Sequence, residues 1–156
     1  MENIENFNYQ VGYIFAELQR TFPKRTSIDI LKMLNAESFE ETMQKGRPTG
    51  KYMREGSVVE LDEEITIAKD TIRWLLDTGY LLGVSEAGSG GYYNSLTLSP
   101  KALEVLRIAP SSTRAPGKSI GDELEDAFKS EAKSKLAGLA SEGLSMLFRF
   151  GMGAFG

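Results

Sequence analysis

The chain has 156 residues, of which 41% are hydrophobic and 26% are charged, and its formal net charge is -4. This composition is typical of one folded domain, and the acidic balance disfavours nucleic acid unless a local basic patch makes the contact. The sequence contains no cysteine and no histidine, which excludes disulfides, thiolate metal sites and the most common general base near neutral pH.

The lack of cysteine and histidine, together with the absence of binding motifs, determines what we expect of catalysis, metal binding and cellular compartment. No acidic cluster has the D-x-D-x-D-G spacing of a calcium loop, and no phosphate-binding loop precedes a helix. We therefore expect no catalytic residue, no metal site and no cofactor, so the protein is not expected to be an enzyme. The lack of cysteine suits a reducing cytoplasm. The start MENIENFNYQ lacks the basic and apolar regions of a signal peptide, and no apolar run reaches the roughly 20 residues of a spanning helix.

The first predicted element is an amphipathic helix. Apolar residues at i, i+3, i+4, i+7 and i+11 predict it from about Asn8 to Thr21, and Pro23 ends it. Residues 28–34 fit either a second short helix, capped by the residues before it, or a strand. A further helical turn is expected around Glu37 to Gln44.

Segment 45–56 (KGRPTGKYMREG) is the only concentrated positive segment of the chain. It has three glycines, one proline and four basic residues. Glycine and proline at this density predict a loop, which is either simply solvated or an arm that contacts phosphate groups. The candidate phosphate-contacting residues of this segment are Lys45, Arg47, Lys51 and Arg54.

The strongest local pattern predicts a helix from Asp62 to Thr78. Its acidic first turn suits the positive end of the helix dipole, and Gly79 provides the C-terminal stop. Two strands are expected next, at about Tyr80 to Ser85 and Tyr92 to Leu98, joined by the turn EAGSGG. Ser99-Pro100 then opens another helix, with serine as the cap and proline in the first turn.

The rest of the sequence predicts a linker and a helical tail. The domain is expected to span 1–108, the proline-containing linker 109–118, and the tail 119–156. A long amphipathic helix is predicted from Ser119 to about Arg149, followed by a glycine-rich end that is not expected to be helical. Small and apolar residues favour either self-association of the tail or its docking on the domain. The self-association candidates are Leu124, Phe128, Leu136, Leu139, Gly143 and Leu147.

Two stretches of this sequence resemble a known family. Residues 74–81 (WLLDTGYL) followed by 96–103 (LTLSPKAL) resemble the helix–wing–helix passage of bacterial winged-helix proteins, although Ala102 replaces the usual glycine. The layout is also similar to a group of uncharacterised bacterial proteins, through Phe22-Pro23 with Asp29 and through Ser119, Gly121 and Leu124. The resemblance implies an α+β winged helix-turn-helix with a two-stranded wing and a long C-terminal amphipathic helix, and it implies no particular activity.

The outward face of helix 62–78 decides the functional expectation. That face is expected to present Ile67, Asp70, Thr71, Trp74 and Thr78. It is acidic and carries an Ile67/Trp74 ridge, whereas reading of the major groove needs arginine, lysine, asparagine or glutamine. We therefore expect a non-enzymatic module that self-associates or docks a protein partner through this face and the tail, unless the tail or residues 45–60 merely cover the ridge.

Two other functions stay open. The first is a DNA-binding regulator dimerised by its tail, with the basic residues of segment 45–56 on phosphate groups and with Lys69 and Arg73 assisting. The second is association of the tail with a membrane surface. It is disfavoured because interfacial helices prefer a polar face rich in lysine and arginine, and the apolar half of the tail has a single arginine.

Overall fold

The computed structural model describes residues 2–84, 94–109 and 117–155. Side chains are described for all of these residues except 84, 94 and 147–155. Within these ranges the chain forms helices and short antiparallel two-stranded sheets, which confirms the expected α+β class. The elements in chain order are α1 (Glu2–Thr21), α2 (Ile30–Met33), β1 (Met43–Gln44), β2 (Arg47–Pro48), β3 (Lys51–Arg54), β4 (Ser57–Glu60), α3 (Asp62–Asp77), β5 (Leu81–Val84), β6 (Asn94–Leu98), α4 (Pro100–Arg107), α5 (Ile120–Lys129) and α6 (Lys133–Phe155).

Local sequence signals position most of the first half correctly. Both α1 and α3 form where they were predicted, although α1 begins earlier, at Glu2. Segment 28–34 contains the short helix α2, whose cap Asp29 accepts a hydrogen bond from the Lys32 amide at 3.1 Å. Just before it, Thr26 pairs with Leu96 of β6. A short 3-10 turn, Glu40–Thr42, takes the place of the expected helical turn, and the turn EAGSGG lies outside the described residues.

The prediction of a loop at 45–56 is wrong, because this segment belongs to two hairpins. Strands β1 and β2 pair around Lys45-Gly46, and strands β3 and β4 pair around Glu55-Gly56. All four turn residues have positive φ, from 51° to 79°. A two-residue hairpin turn with positive φ at both central positions matches the right-handed twist of the strands. The glycines therefore make tight turns between strands instead of a loop.

The tail is two helices, and the prediction of one uninterrupted helix is wrong. Helix α5 ends where Glu131 adopts a φ of 56°, and α6 starts at Lys133. The expectation of a non-helical end is also wrong, since the backbone of α6 stays helical through Phe155. Each glycine costs about 1 kcal/mol relative to alanine in a helix. Extending an existing helix, however, avoids the cost of nucleating a new one.

The C-terminal helices share one hydrophobic core with the rest of the described chain. Helix α1 lies at the centre, and its Val11, Ile14, Phe15 and Leu18 are fully buried. Helices α5 and α6 cover one side of α1, with buried side chains at Ile120, Leu124, Ala127, Leu136, Leu139 and Ala140. Of the two outcomes left open for the tail, the structure therefore shows docking on the domain.

Helices α1 and α6 cross at very short range. Gly12 of α1 is buried, and the backbone carbonyl of Leu136 lies where a Cβ on Gly12 would have to be. A side chain of any size at position 12 would meet backbone rather than a side chain that can rotate away. The contact between the N-terminal and C-terminal helices thus depends on a glycine at this crossing.

A buried hydroxyl in β6 supplies a stability prediction. The Thr97 Oγ1 is buried and has no hydrogen-bond partner among the described residues. We expect Thr97→Val to raise the free energy of unfolding by about 1 kcal/mol, because it removes an unpaired buried polar group and keeps a β-branched shape. Denaturant unfolding measures the change.

Thr42 is the matched control for this substitution. It is equally buried, but its Oγ1 donates to the Lys51 carbonyl at 2.8 Å and accepts from the Phe39 amide at 2.9 Å. Thr42→Val should therefore lower the free energy of unfolding by about 1–3 kcal/mol. The prediction fails if both valine variants shift stability in the same direction.

Burial of a tyrosine makes stability depend on alkaline pH. Tyr13 is 9% exposed and packs on Phe128 with ring centroids 5.1 Å apart. Burial first, and then the nearby Glu17 carboxylate, raises the pKa of Tyr13 to about 12. The unfolded chain ionises this phenol near its ordinary pKa of 10, so the stabilisation is complete below pH 10 and is lost as the pH rises towards 12.

We expect the free energy of unfolding to fall over this range by up to about 1.4 kcal/mol per pH unit for this one group. Tyr13→Phe should flatten that part of the pH dependence, because phenylalanine cannot ionise. Chemical denaturation of wild type and Tyr13→Phe at intervals between pH 9 and pH 12 measures how the free energy of unfolding of each chain changes with pH. An identical slope in the two chains would assign the effect to other groups.

Candidate interaction surface

Helix α3 packs on α1 with a rotation that differs from the sequence prediction. Its buried residues are Ala68, Thr71, Ile72 and Leu75, so Thr71 faces the interior and does not belong to the outward face. The Thr71 Oγ1 lies 2.8 Å from the Gln10 Oε1 of α1 and 2.8 Å from the Ile67 carbonyl. These partners satisfy the hydroxyl, which is why a polar residue can be buried here.

Trp74 remains on the surface and is held by aromatic neighbours. Its side chain is 41% exposed. The Phe7 ring meets it edge-on, with centroids 5.1 Å apart at 87°, and the Tyr80 ring stacks on it at 5.8 Å and 18°. We call these three residues the Trp74 surface. Aromatic contacts of this kind contribute about 0.5–1.5 kcal/mol beyond area burial, so the indole is fixed in place while part of it faces solvent.

A lysine contacts the Tyr80 ring of the Trp74 surface. The Lys101 Nζ lies 4.3 Å from the centroid of the Tyr80 ring and donates a hydrogen bond to the Thr78 carbonyl at 2.8 Å. Burial raises the pKa of Tyr80, so its phenol is neutral at physiological pH. Helix α3, the turn after it and α4 are thereby fixed relative to one another beside Trp74.

The remaining predicted face residues are less prominent. Asp70 is exposed, while Ile67 and Thr78 are half-buried, and the Thr78 Oγ1 donates to the Trp74 carbonyl at 2.7 Å. Phe7 is the component that the sequence prediction missed, because the first helix was expected to begin after it. Its position four residues before Val11 continues the apolar stripe of α1, and that spacing was the available signal.

The exposed part of α3 around Trp74 is predominantly acidic. Asp70 and Asp77 are exposed there, and the first turn adds the exposed Asp62 and Glu63. Of the two predicted cations, Arg73 is exposed and Lys69 is half-buried. An apolar centre with an acidic rim fits a partner that has the opposite charge pattern.

The basic residues of the hairpins divide into two groups. Lys45, Arg47 and Lys51 are exposed. Arg54 instead donates from Nε and Nη2 to the Leu34 carbonyl at 3.2 and 2.8 Å, and from Nη2 to the Glu64 carboxylate at 2.8 Å. Arg54 therefore links the β3–β4 hairpin to α2 and α3, and this removes it from the predicted set of phosphate contacts.

The predicted self-association residues lie inside the chain's own fold. Leu124, Leu136 and Leu139 are at most 5% exposed, and all three belong to the common core. Gly143 is buried, with Val105 Cγ1 at 2.6 Å from the place that a Cβ would take. Phe128 packs beside Tyr13. The stripe that predicted a contact between copies is occupied by α1 and α4, and the Leu147 side chain lies outside the described residues.

The described part of the chain contains neither a candidate metal site nor a candidate membrane-spanning helix. There, no group of three or more His, Cys, Asp or Glu side chains is arranged to hold a metal ion. No helix in the same ranges combines the length and apolar character needed to cross a bilayer. The chain matches no family model, no curated protein and no solved structure.

Proposed function

We propose that the chain is a non-enzymatic winged-helix module that binds a protein partner through the Trp74 surface. The single observation that carries the proposal is an indole that is 41% exposed and is held by ring contacts with Phe7 and Tyr80. Tryptophan is enriched among the few interface residues that dominate binding energy. A rigid aromatic anchor also loses little conformational entropy when a partner covers it.

The order of the elements supports the winged-helix assignment. Helices α1, α2 and α3 precede an antiparallel pair, β5 and β6, whose register places Leu81 opposite Leu98. Thr26 adds an antiparallel bridge to Leu96 on the free side of β6. The succession of α3, the β5–β6 hairpin and α4 is the helix–wing–helix order that the sequence resemblance implies.

The charge pattern supports a protein partner over DNA. In the winged-helix assignment α3 takes the position of the helix that reads bases, yet its exposed residues are mostly carboxylates. Carboxylates repel the phosphate backbone, which dominates affinity for nucleic acid. They suit a protein whose contact surface is apolar at its centre and basic at its rim. Because the tail's apolar stripe is used inside the chain, the Trp74 surface is also the better candidate for binding a second copy.

The experiment compares three chains in affinity capture from a lysate of the source cells, followed by mass spectrometry. Wild type and Met43→Ala should retain the same specific proteins, because Met43 is an apolar side chain 53% exposed on the separate β1–β2 hairpin. Trp74→Ala should lose them. Each recovered partner is then purified and added to the wild-type chain, where binding should move the Trp74 emission to shorter wavelength.

Two results of that experiment contradict the proposal. One is a set of captured proteins that does not change with Trp74→Ala. The other is a purified partner that binds without changing the Trp74 emission. Sedimentation velocity of wild type and Trp74→Ala identifies the case in which the partner is a second copy, because only wild type would then show a dimer.

DNA binding is the second candidate function, and the exposed cations of the hairpins favour it. Lys45 lies in the β1–β2 turn, Arg47 directly follows that turn, and Lys51 begins β3. If these residues contact phosphate groups, the affinity for random duplex DNA should fall with about one power of salt concentration per contact, and glutamine at the three positions should remove that dependence. The Trp74-centred proposal expects no such binding near physiological salt.

A further inference from the structure

One side of α3 carries residues at the spacing of a helix–helix contact. They are Glu63, Ile67, Asp70, Trp74 and Asp77, and successive members are four, three, four and three residues apart. Residues three and four apart are neighbours on the surface of a helix. Ile67 is half-buried and the other four are exposed. We call these five residues the α3 stripe.

The α3 stripe alternates carboxylates with apolar side chains. Its carboxylates recur every seven residues, and so do its two apolar residues. At a rise of 1.5 Å per residue each row therefore repeats every 10.5 Å or about that along the axis. A seven-residue repeat drifts around a straight helix by only about 20°, so the acidic row and the apolar row lie side by side along α3.

The acidic row is not neutralised within the described part of the chain. There, none of Glu63, Asp70 and Asp77 forms an ion pair. Arg54 is already paired with Glu64, which lies outside the stripe. Arg73 is exposed on the same helix and forms no ion pair with the described residues either. The three carboxylates are therefore open to cations of a partner.

The repeat of the two rows fits a helical partner. A second α-helix presents every seventh residue on one side with the same repeat of about 10.5 Å, which is how paired helices keep their contact over several turns. An extended strand presents side chains on one face every 6.8 Å or about that, so it would lose register with the stripe after one contact. Trp74, fixed by Phe7 and Tyr80, would be the main apolar contact of such a helix.

The charge of the stripe fits a basic helix from a different protein. Lysine or arginine residues beside the apolar row of the partner would face the carboxylates, and charged residues that flank a helix–helix seam select the partner and its orientation. A second copy of α3 would instead place carboxylates opposite carboxylates, which disfavours pairing of this helix with itself.

We infer that the occupant of the Trp74 surface is an amphipathic helix of another protein, in which apolar residues and basic residues each recur every seven positions. The inference rests on the proposed function, because it specifies the partner of the same surface. The partner helix lies along α3, with its apolar row on Ile67 and Trp74 and its basic row on Asp70 and Asp77.

The test uses a fluorescently labelled synthetic helix with adjacent rows of leucine and arginine at seven-residue spacing among alanine and glutamine. Its anisotropy should show saturable binding to the full chain at physiological salt, and the Trp74 emission should move to shorter wavelength. Asn at both Asp70 and Asp77 should weaken binding about tenfold, since two ion pairs are lost. Arg73→Gln should strengthen binding, because it removes a like charge. Glu104→Gln, at an exposed carboxylate of α4, should bind as wild type does.

Two further peptides separate charge from helical shape. A peptide with glutamate in place of arginine should not bind, and one with a central proline should bind more weakly because proline breaks the helix. The inference is overturned if the arginine peptide does not bind, if either control peptide binds equally well, or if the double asparagine variant and Glu104→Gln bind alike. The capture experiment judges the proposed function separately. Partners that require Trp74 but tolerate asparagine at Asp70 and Asp77 would overturn this inference alone.

Discussion

A chain that ends at Lys118 is expected to lose its cooperative fold. The deleted helices α5 and α6 provide the four large buried side chains Ile120, Leu124, Leu136 and Leu139. At about 1.5–3 kcal/mol for each fully buried aliphatic side chain, their loss removes about 6–12 kcal/mol. A domain of this size has a free energy of unfolding of about 5–15 kcal/mol in total.

The truncation also exposes the side of α1 that α5 and α6 cover. We expect far-ultraviolet circular dichroism to show less helix than the remaining residues should give, with no sharp thermal transition. A chain that ends at Met146 is the control, because it keeps every buried residue described in α6. It should unfold cooperatively. A chain ending at Lys118 that still unfolds in one sharp step would show that the tail is an appendage to an independent domain.

Gly12→Ala is expected to destabilise the protein although alanine is the better helix former. In the middle of a helix this substitution alone gains about 1 kcal/mol. The new Cβ, however, would meet the Leu136 carbonyl, which is backbone and cannot rotate aside. Helix α6 would have to move away from α1 along their shared contact. Overpacking of this kind costs about 1–3 kcal/mol and sometimes more, so we expect a net loss of up to about 2 kcal/mol.

Gly138→Ala, in α6, is the matched control. This glycine is exposed, and no described atom lies within 4 Å of its Cβ position, so alanine should raise the free energy of unfolding by about 1 kcal/mol. Denaturant unfolding followed by circular dichroism measures both variants. Stabilisation of similar size in the two variants would show that α1 and α6 are not in close contact at Gly12.

The sequence predicts elements that depend on local chemistry. Helix α3 has an acidic first turn and a glycine after its end, and its bounds in the structure differ from the prediction by one residue. The cap at Ser99 with Pro100 after it likewise starts α4 as expected, and Ser99 accepts from the Ala102 amide. Both features depend only on neighbours within a few residues.

The features that the sequence does not predict depend on partners far along the chain or on unusual backbone conformations. Thr71 is buried because Gln10 stands opposite, 61 residues away, and periodicity alone does not show a buried polar pair. Two residues after the end of α5, Glu131 adopts a left-handed conformation that usually indicates glycine. The glycines of the turns at Lys45-Gly46 and Glu55-Gly56 predict a loop, because the strands on either side of them are only two to four residues long.

The crossing of α1 and α6 has a consequence for how the protein is made. Helix α1 is synthesised before α6, which covers it, so the contact of Gly12 with Leu136 can form only after α6 has been made. At about 5–20 residues per second on the ribosome, the intervening segment takes about 6–25 seconds to appear. During that interval the apolar side of α1 has no final cover. A nascent chain of this protein is therefore exposed to chaperones and to aggregation until α6 has been synthesised.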